Sequence, residues 1–85
     1  MNIELRFFAS LREALGRDRE QADLPAEVLT VADLRLWLAA RGEPWESALG
    51  GRRAVRAALD QTMVEGGAAL HEGAEVAFFP PVTGG

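Results

Sequence analysis

One stretch of helical periodicity, with strand-like segments on both sides of it, limits the folds open to this chain. Between Val31 and Leu38, apolar residues recur at the spacing of an amphipathic helix. Thr30 and Asp33 form a capping pair at its start, and Gly42 is a typical residue just beyond a helix end. The sequence therefore predicts one main helix between Thr30 and Gly42.

Short segments of alternating polar and apolar residues predict the strands of a single sheet. They lie at residues 2–7, 19–24, 54–59, 62–64 and 74–79. Shorter helical turns are predicted at 10–15 and 45–49, and a tight turn at Asp60-Gln61. Because the main helix lies between the second and third strands, it can cover one sheet face, which predicts a two-layer α+β domain. The first and last strands are the most apolar, so we expect them to pair at the sheet centre.

Composition limits the chemistry that the side chains can perform. The 85 residues include no Cys, Lys or Tyr and one His. A thiol nucleophile, a Schiff-base lysine and a cysteine-based metal site are therefore excluded, and few acid–base groups remain. We expect His71 to be an exposed turn residue, and no spacing of carboxylates indicates a metal site.

Charge and hydropathy predict a cytoplasmic domain without nucleic-acid or membrane partners. The formal net charge is −4, and nucleic-acid binding usually needs basic patches. The one dense basic cluster is interpreted as a solvated strand edge; it comprises Arg52, Arg53 and Arg56. No apolar run approaches the roughly 20 residues of a membrane span, and Met1 to Arg6 alternates instead of forming a secretory signal.

The C-terminal end is the most unusual part of the sequence. After Phe79 the chain continues as Pro80-Pro81-Val82-Thr83-Gly84-Gly85. The prolines donate no ladder hydrogen bonds and favour extended backbone, so residues 80–85 are expected to leave the sheet as an arm of roughly 20 Å. Glycines lack Cβ and leave the last carbonyl unshielded, which suits a narrow enzyme channel. We therefore predict a domain at 1–79 and a flexible tail at 80–85, whose end, Gly84-Gly85, is the reactive group.

Three runs of residues together resemble one known family. They are Leu5-Arg6-Phe7-Phe8-Ala9, Ala57-Ala58-Leu59-Asp60-Gln61-Thr62-Met63-Val64, and the ending Glu75-Val76-Ala77-Phe78-Phe79-Pro80-Pro81-Val82-Thr83-Gly84-Gly85. The family is the small subunit of molybdopterin synthase, a ubiquitin-like sulfur carrier. The resemblance implies a β-grasp fold, with a mixed sheet of about five strands packed by one main helix and an extended C-terminal tail. Asp60 departs from the Asn that family members often have at this turn.

The resemblance also implies a function for the tail. A ubiquitin-activating-like adenylating enzyme would use ATP to adenylate Gly85, and a sulfur donor protein would supply the sulfur of a thiocarboxylate. The large subunit of molybdopterin synthase would then pass that sulfur to cyclic pyranopterin monophosphate, in molybdenum cofactor biosynthesis. The family forms a heterotetramer whose catalytic residues lie in the large subunit. This chain is therefore expected to be non-catalytic alone and to bind no cofactor tightly.

Apolar side chains that are out of phase with the core pattern are candidate docking residues. Phe8 and Phe79 should share the sheet face opposite the helix, and Met63 could join them because methionine adapts to binding surfaces. Arg12 is a candidate charge at the rim. The predicted partner-binding set also includes the tail residues Pro80, Pro81, Val82 and Thr83.

Three alternative functions stay open. The chain could be a carrier of the same fold that serves thiamine synthesis or tRNA thiolation, although the Phe-Phe-Pro-Pro-Val run favours the synthase subunit. It could be a ubiquitin-like modifier, which would form isopeptide adducts on lysines of other proteins. It could also be an interaction domain with an inert tail, in which case deletion of Gly84-Gly85 would change nothing.

Overall fold

A computed structural model describes residues 1–51 and 53–81. These residues form β1 (Asn2–Phe7), α1 (Ala9–Leu15), β2 (Arg19–Asp23), α2 (Val31–Ala39), α3 (Trp45–Leu49), β3 (Arg56–Leu59), β4 (Thr62–Val64) and β5 (Glu75–Phe79). The sheet order is β2-β1-β5-β3-β4. Strands β1 and β5 pair in parallel, and the other neighbours are antiparallel. The predicted α+β architecture is therefore confirmed, with the first and last strands side by side.

Helix α2 begins where the sequence predicts. The Thr30 hydroxyl accepts a hydrogen bond from the Asp33 N–H at 3.1 Å, and the Asp33 carboxylate accepts from the N–H groups of Leu29 and Thr30 at 3.1 Å each. These bonds, above all that from the Leu29 N–H, hold the pKa of Asp33 below its usual range. This reciprocal capping satisfies amide groups that a helix start leaves unpaired, and it fixes α2 across the sheet.

The core lies between the sheet and α2, with α1 and α3 closing one end. Phe7 is buried at the centre, where its ring centroid lies 5.7 Å from that of Trp45 and 6.4 Å from that of Phe78. The sequence leaves open whether Trp45 is core or rim, and this edge-to-face contact makes it a core residue. Trp37, which the apolar periodicity of α2 also predicts to be in the core, is half-buried and packs against it. No helix within the described ranges is long and apolar enough to cross a membrane.

A small polar cluster covers the outer side of Trp45. The Arg41 guanidinium lies 4.5 Å from the Trp45 ring centroid and 4.9 Å from that of Trp37, within cation–π range. Its two terminal nitrogens donate to the Glu20 carboxylate at 3.0 and 2.6 Å, and Arg17 donates at 2.7 Å. The Arg41 hydrogen bond is the main reason why the pKa of Glu20 is lowered. These contacts tie β2 to the helical layer.

A two-residue turn joins β3 and β4. Asp60 and Gln61 both have positive φ angles, 49° and 69°, which is the type I′ geometry preferred in tight hairpins. Strand β3 begins at Arg56, two residues later than predicted, and β5 begins at Glu75, one residue later. The hairpin leaves β4 at the edge of the sheet.

Candidate functional site

The sheet face opposite α2 brings together three of the predicted docking residues. Strand pairing places Arg6 beside Ala77, and Ala77 beside Ala58, so that these side chains share this face. A shallow groove of about 560 Å³ lies there, termed the outer groove. Its lining includes Arg6, Phe8, Ala58, Met63, Ala77 and Phe79.

Large apolar side chains stand around a floor of small ones in the outer groove. Phe8 is 41% exposed and Met63 is 49% exposed, whereas Phe79 is half-buried. The alanines at 58 and 77 are buried and leave open space between the larger side chains. Contiguous exposed apolar surface with polar residues around it is typical of a protein-binding site. Gln61 and Glu75 supply that polar border.

Backbone geometry after β1 directs Phe8 into the outer groove. The Phe8 N–H donates to the Phe78 carbonyl at 3.2 Å, which keeps Phe8 extended beside β5. Ala9 then adopts a φ of 53°, in the left-handed region that costs energy for a residue with a Cβ. The Arg6 guanidinium carbon lies 5.5 Å from the Phe8 ring centroid. The sequence pattern predicts no docking role for Ala9 or Arg6, although Arg6 shares the strand phase of Phe8.

The other predicted partner-binding residues lie apart from this groove or outside the described residues. Arg12 is exposed on α1 and does not line the outer groove, so the structure does not group it with Phe8. Pro80 and Pro81 are half-buried, and Pro80 borders a small cavity beside α1. Five residues that the sequence predictions name lie outside the described part of the chain. They are Arg52, Val82, Thr83, Gly84 and Gly85.

Asp60 has contacts that its position in a turn did not indicate. Its carboxylate accepts a hydrogen bond from the Glu75 N–H at 3.0 Å and lies 2.6 Å from Nε2 of His71. The Glu75 N–H is the main cause of the lowered pKa of Asp60, and the Asp60 carboxylate is the main cause of the raised pKa of His71. His71 is an exposed turn residue, as predicted, but it is held by an ionic hydrogen bond.

The Asp60–His71 pair predicts a pH-dependent contact. His71 stabilises the fold fully below its unfolded pKa of about 6.5, and this contribution is lost as pH rises through the raised folded pKa. Asp60 contributes above its unfolded pKa of about 3.9, and loses its contribution as pH falls through the lowered folded pKa. In an NMR titration of the single imidazole, Asp60→Asn is therefore expected to lower the pKa of His71. An unchanged pKa would contradict the contact.

The described residues include side chains that can bind a partner, but few side chains that could take part in catalysis. Among residues 1–51 and 53–81, no three His, Cys, Asp or Glu side chains lie close enough to hold a metal ion. The charged groups of the outer groove are one guanidinium and one carboxylate, on Arg6 and Glu75. The groove can therefore hold an apolar protein surface, but it contains no nucleophile paired with a base.

The sheet order, the single main helix across one face and the apolar opposite face define a ubiquitin-like β-grasp domain. The chain belongs to the ThiS family, which matches residues 5–85. It is similar to the molybdopterin synthase sulfur carrier subunit of Escherichia coli (strain K12), with 43% identity over 98% of this chain and 99% of that protein. The family relationship that the sequence predicts is thereby confirmed.

Solved structures show the same fold. The small archaeal modifier protein 1 of Haloferax volcanii superposes with a TM-score of 0.74 at 26% identity, over 95% of this chain and 98% of that one. A chain in the complex of subunits 1 and 2 of the molybdopterin-converting factor from Helicobacter pylori 26695 has a TM-score of 0.69 at 23% identity, over the full length of both chains. At that identity the second likeness shows the fold alone.

Proposed function

We propose that this chain is the sulfur carrier subunit of a molybdopterin synthase and bears its sulfur as a thiocarboxylate on Gly85. The observation that carries the proposal is the outer groove, which runs along β5, and β5 is the strand that Pro80–Gly85 follow in the sequence. The full-length similarity to the Escherichia coli sulfur carrier subunit supports the same proposal. The groove would hold the partner while the tail supplies the reactive atom.

The proposed chemistry follows from the carboxylate of Gly85. A free α-carboxylate has a pKa of about 3.3–3.7, so at neutral pH it is ionised and is a poor electrophile. An adenylating enzyme would join it to the AMP portion of ATP and release pyrophosphate. Sulfur at the hydrosulfide level, released from a donor protein, would then displace AMP and leave the thiocarboxylate. A thiocarboxylate is itself nucleophilic, so the carrier needs no cysteine, and this chain has none. Its target would be cyclic pyranopterin monophosphate in the large subunit.

Two enzymes would have to recognise this chain in turn. The adenylating enzyme and the large synthase subunit both need access to Gly85, and both could dock on the outer groove at different times. Pro80 is half-buried and lines a small cavity together with Leu11 of α1, so the tail begins at the surface of the domain. A tail that begins at a fixed point of the domain would let either partner receive its end at a defined position.

An intact-mass measurement tests this proposal. The purified chain is incubated with ATP, its adenylating enzyme and a sulfur donor, beside a variant that lacks Gly85. The complete chain is expected to gain the mass difference between sulfur and oxygen, and the variant is expected to gain nothing. An unchanged mass of the complete chain, with an enzyme that activates its own known carrier, would refute the carrier function.

The similarity to the small archaeal modifier protein favours a second candidate, a ubiquitin-like modifier. In that function the activated Gly85 would acylate a lysine amine and release AMP, which forms an isopeptide bond. Because this chain contains no lysine, every such bond would lie on another protein. Mass spectrometry of proteins recovered with a tagged chain separates the two functions, since a carrier yields the thiocarboxylate and a modifier yields branched lysine peptides. A carrier for thiamine or tRNA thiolation would differ only in the client that receives the sulfur.

A further inference from the structure

Strand β4 forms an edge of the sheet, and its middle residue has free backbone groups. The two-residue turn makes Leu59 and Thr62 a hydrogen-bonded pair, and such pairs alternate along an antiparallel ladder. Met63, opposite Ala58, is therefore in a non-hydrogen-bonded pair, and its N–H and C=O point away from β3. No backbone hydrogen bond from another part of residues 1–51 and 53–81 reaches these two groups.

Two cavities lie on opposite faces of this edge, and Met63 lines both. The outer groove lies on one face. On the other face, a cavity of about 470 Å³ lies between α2 and the β3–β4 hairpin, termed the helix-side cleft. Its apolar lining includes Val31, Val55, Val64 and Phe78. Both cavities are therefore open to a chain that runs along β4.

Arg35 gives the helix-side cleft a fixed wall. Its Nε donates to the Leu49 carbonyl at 2.8 Å, and a terminal nitrogen donates to the Gly50 carbonyl at 2.8 Å. The same guanidinium also donates to the Arg53 carbonyl. Because these bonds occupy Arg35, the charged groups left for a ligand in the cleft are Arg56 and Glu65. A neutral segment therefore fits the cleft best.

An added β-strand matches this arrangement of free backbone groups and paired cavities. Successive residues of a strand point to opposite faces, so a strand beside β4 would place one side chain in the outer groove and the next in the helix-side cleft. We propose that the large synthase subunit, docked on the outer groove, also adds an extended, uncharged segment to β4, with apolar side chains on two consecutive residues. Its backbone would pair with the N–H and C=O of Met63. This inference rests on the proposed function and describes the same docking face more closely.

A second copy of this chain fits the edge less well. Strand β4 contains three residues, so a pair of such strands would offer few ladder hydrogen bonds. Stable interfaces usually bury about 1,000 Å² or more, which short strands alone do not provide. A partner that already covers the outer groove needs only a small additional contact at β4.

Amide hydrogen exchange measures the backbone pairing directly. The complete chain is studied by NMR alone and in complex with the purified large subunit of the synthase. The Met63 amide is expected to exchange rapidly in the free chain and roughly tenfold or more slowly in the complex. Protection of Met63 that increases with the concentration of the chain alone would assign the edge to a second copy and overturn the proposal.

Two substitutions at one position separate the backbone bond from the side chain. Met63→Ala and Met63→Pro both remove the methionine side chain, but only proline also removes the N–H. Proline is tolerated on an edge strand where the N–H faces outward, and thermal unfolding verifies that both variants fold. Met63→Pro is expected to bind the large subunit roughly three- to tenfold more weakly than Met63→Ala.

The outcomes distinguish failure of the added strand from failure of docking on the outer groove, and the intact-mass measurement tests the proposed function separately. Equal binding by the two Met63 variants, with rapid exchange of the Met63 amide in the complex, would overturn the added strand. If Phe8→Ala still weakens binding in that case, docking on the outer groove stands without the strand. If Phe8→Ala also binds normally, the outer groove is not the docking site, and the strand proposal fails with it.

Discussion

Phe8→Ala is expected to weaken binding to the large synthase subunit roughly 30-fold, which corresponds to about 2 kcal/mol. Phe8 presents a large ring at the outer groove, and 41% of its surface is exposed in the free chain. Aromatic anchors that become fully buried on docking contribute most to binding energy. If the proposed function holds, titration calorimetry with the two purified subunits measures the effect, and the proposed adenylating enzyme would offer an independent second partner.

Leu36→Ala is the matched control for this substitution. Leu36 is 63% exposed, but it lies on α2 at the opposite layer of the domain. Its truncation removes a similar exposed apolar side chain and is expected to leave binding unchanged. If Leu36→Ala weakened binding as much as Phe8→Ala, the docking face would lie on the helical layer and the assignment of the outer groove would be wrong.

The parts of the fold that depend on local patterns were predictable from the sequence. The alternation in β1 depends on neighbouring residues alone, and so does the start of α2, because Thr30 and Asp33 bond to each other's backbone. Pairing of the terminal strands followed from their apolar character. The phase of Phe8 and Phe79 likewise placed both on one face, and the structure groups them in the outer groove.

The parts that depend on contacts between distant residues were not predictable in the same way. Trp45 is buried by residues distant in sequence, since Phe7 packs edge-to-face with its ring and the guanidinium groups of Arg17 and Arg41 lie over it. Strand β3 begins late because Arg56 pairs with Phe79, the last residue of β5, so Ala54 and Val55 have no β5 residue opposite them. A lone arginine such as Arg12 carries no local pattern that fixes its role.

Met63 shows why the outer groove was predictable only in part. The sequence indicates that a methionine on a short strand could join Phe8 and Phe79. That β4 is the sheet edge, and that cavities lie on both of its faces, depends on the strand order and on the position of α2. A single residue thus lines two cavities because of topology, which its local sequence does not encode.

Phe7→Ala is expected to lower the free energy of unfolding by about 3–5 kcal/mol, whereas Phe8→Ala, one position later, should change it by less than about 1 kcal/mol. Phe7 is 1% exposed and packs against both Trp45 and Phe78, so its removal leaves a cavity between the sheet and α3. A domain of this size has a total stability of only about 4–13 kcal/mol, so the expected loss is a large share of the whole.

Urea unfolding followed by tryptophan fluorescence measures the unfolding free energies of the Phe7→Ala and Phe8→Ala variants, because the ring of Trp45 contacts Phe7 directly. The two adjacent phenylalanines are expected to give opposite results in two assays: Phe7→Ala loses stability, and Phe8→Ala loses partner binding. The contrast follows from strand geometry, since neighbouring side chains point to opposite faces of a sheet. Similar unfolding free energies for the two variants would show that Phe7 does not pack as the structure places it, and the division into a core face and a docking face would then fail.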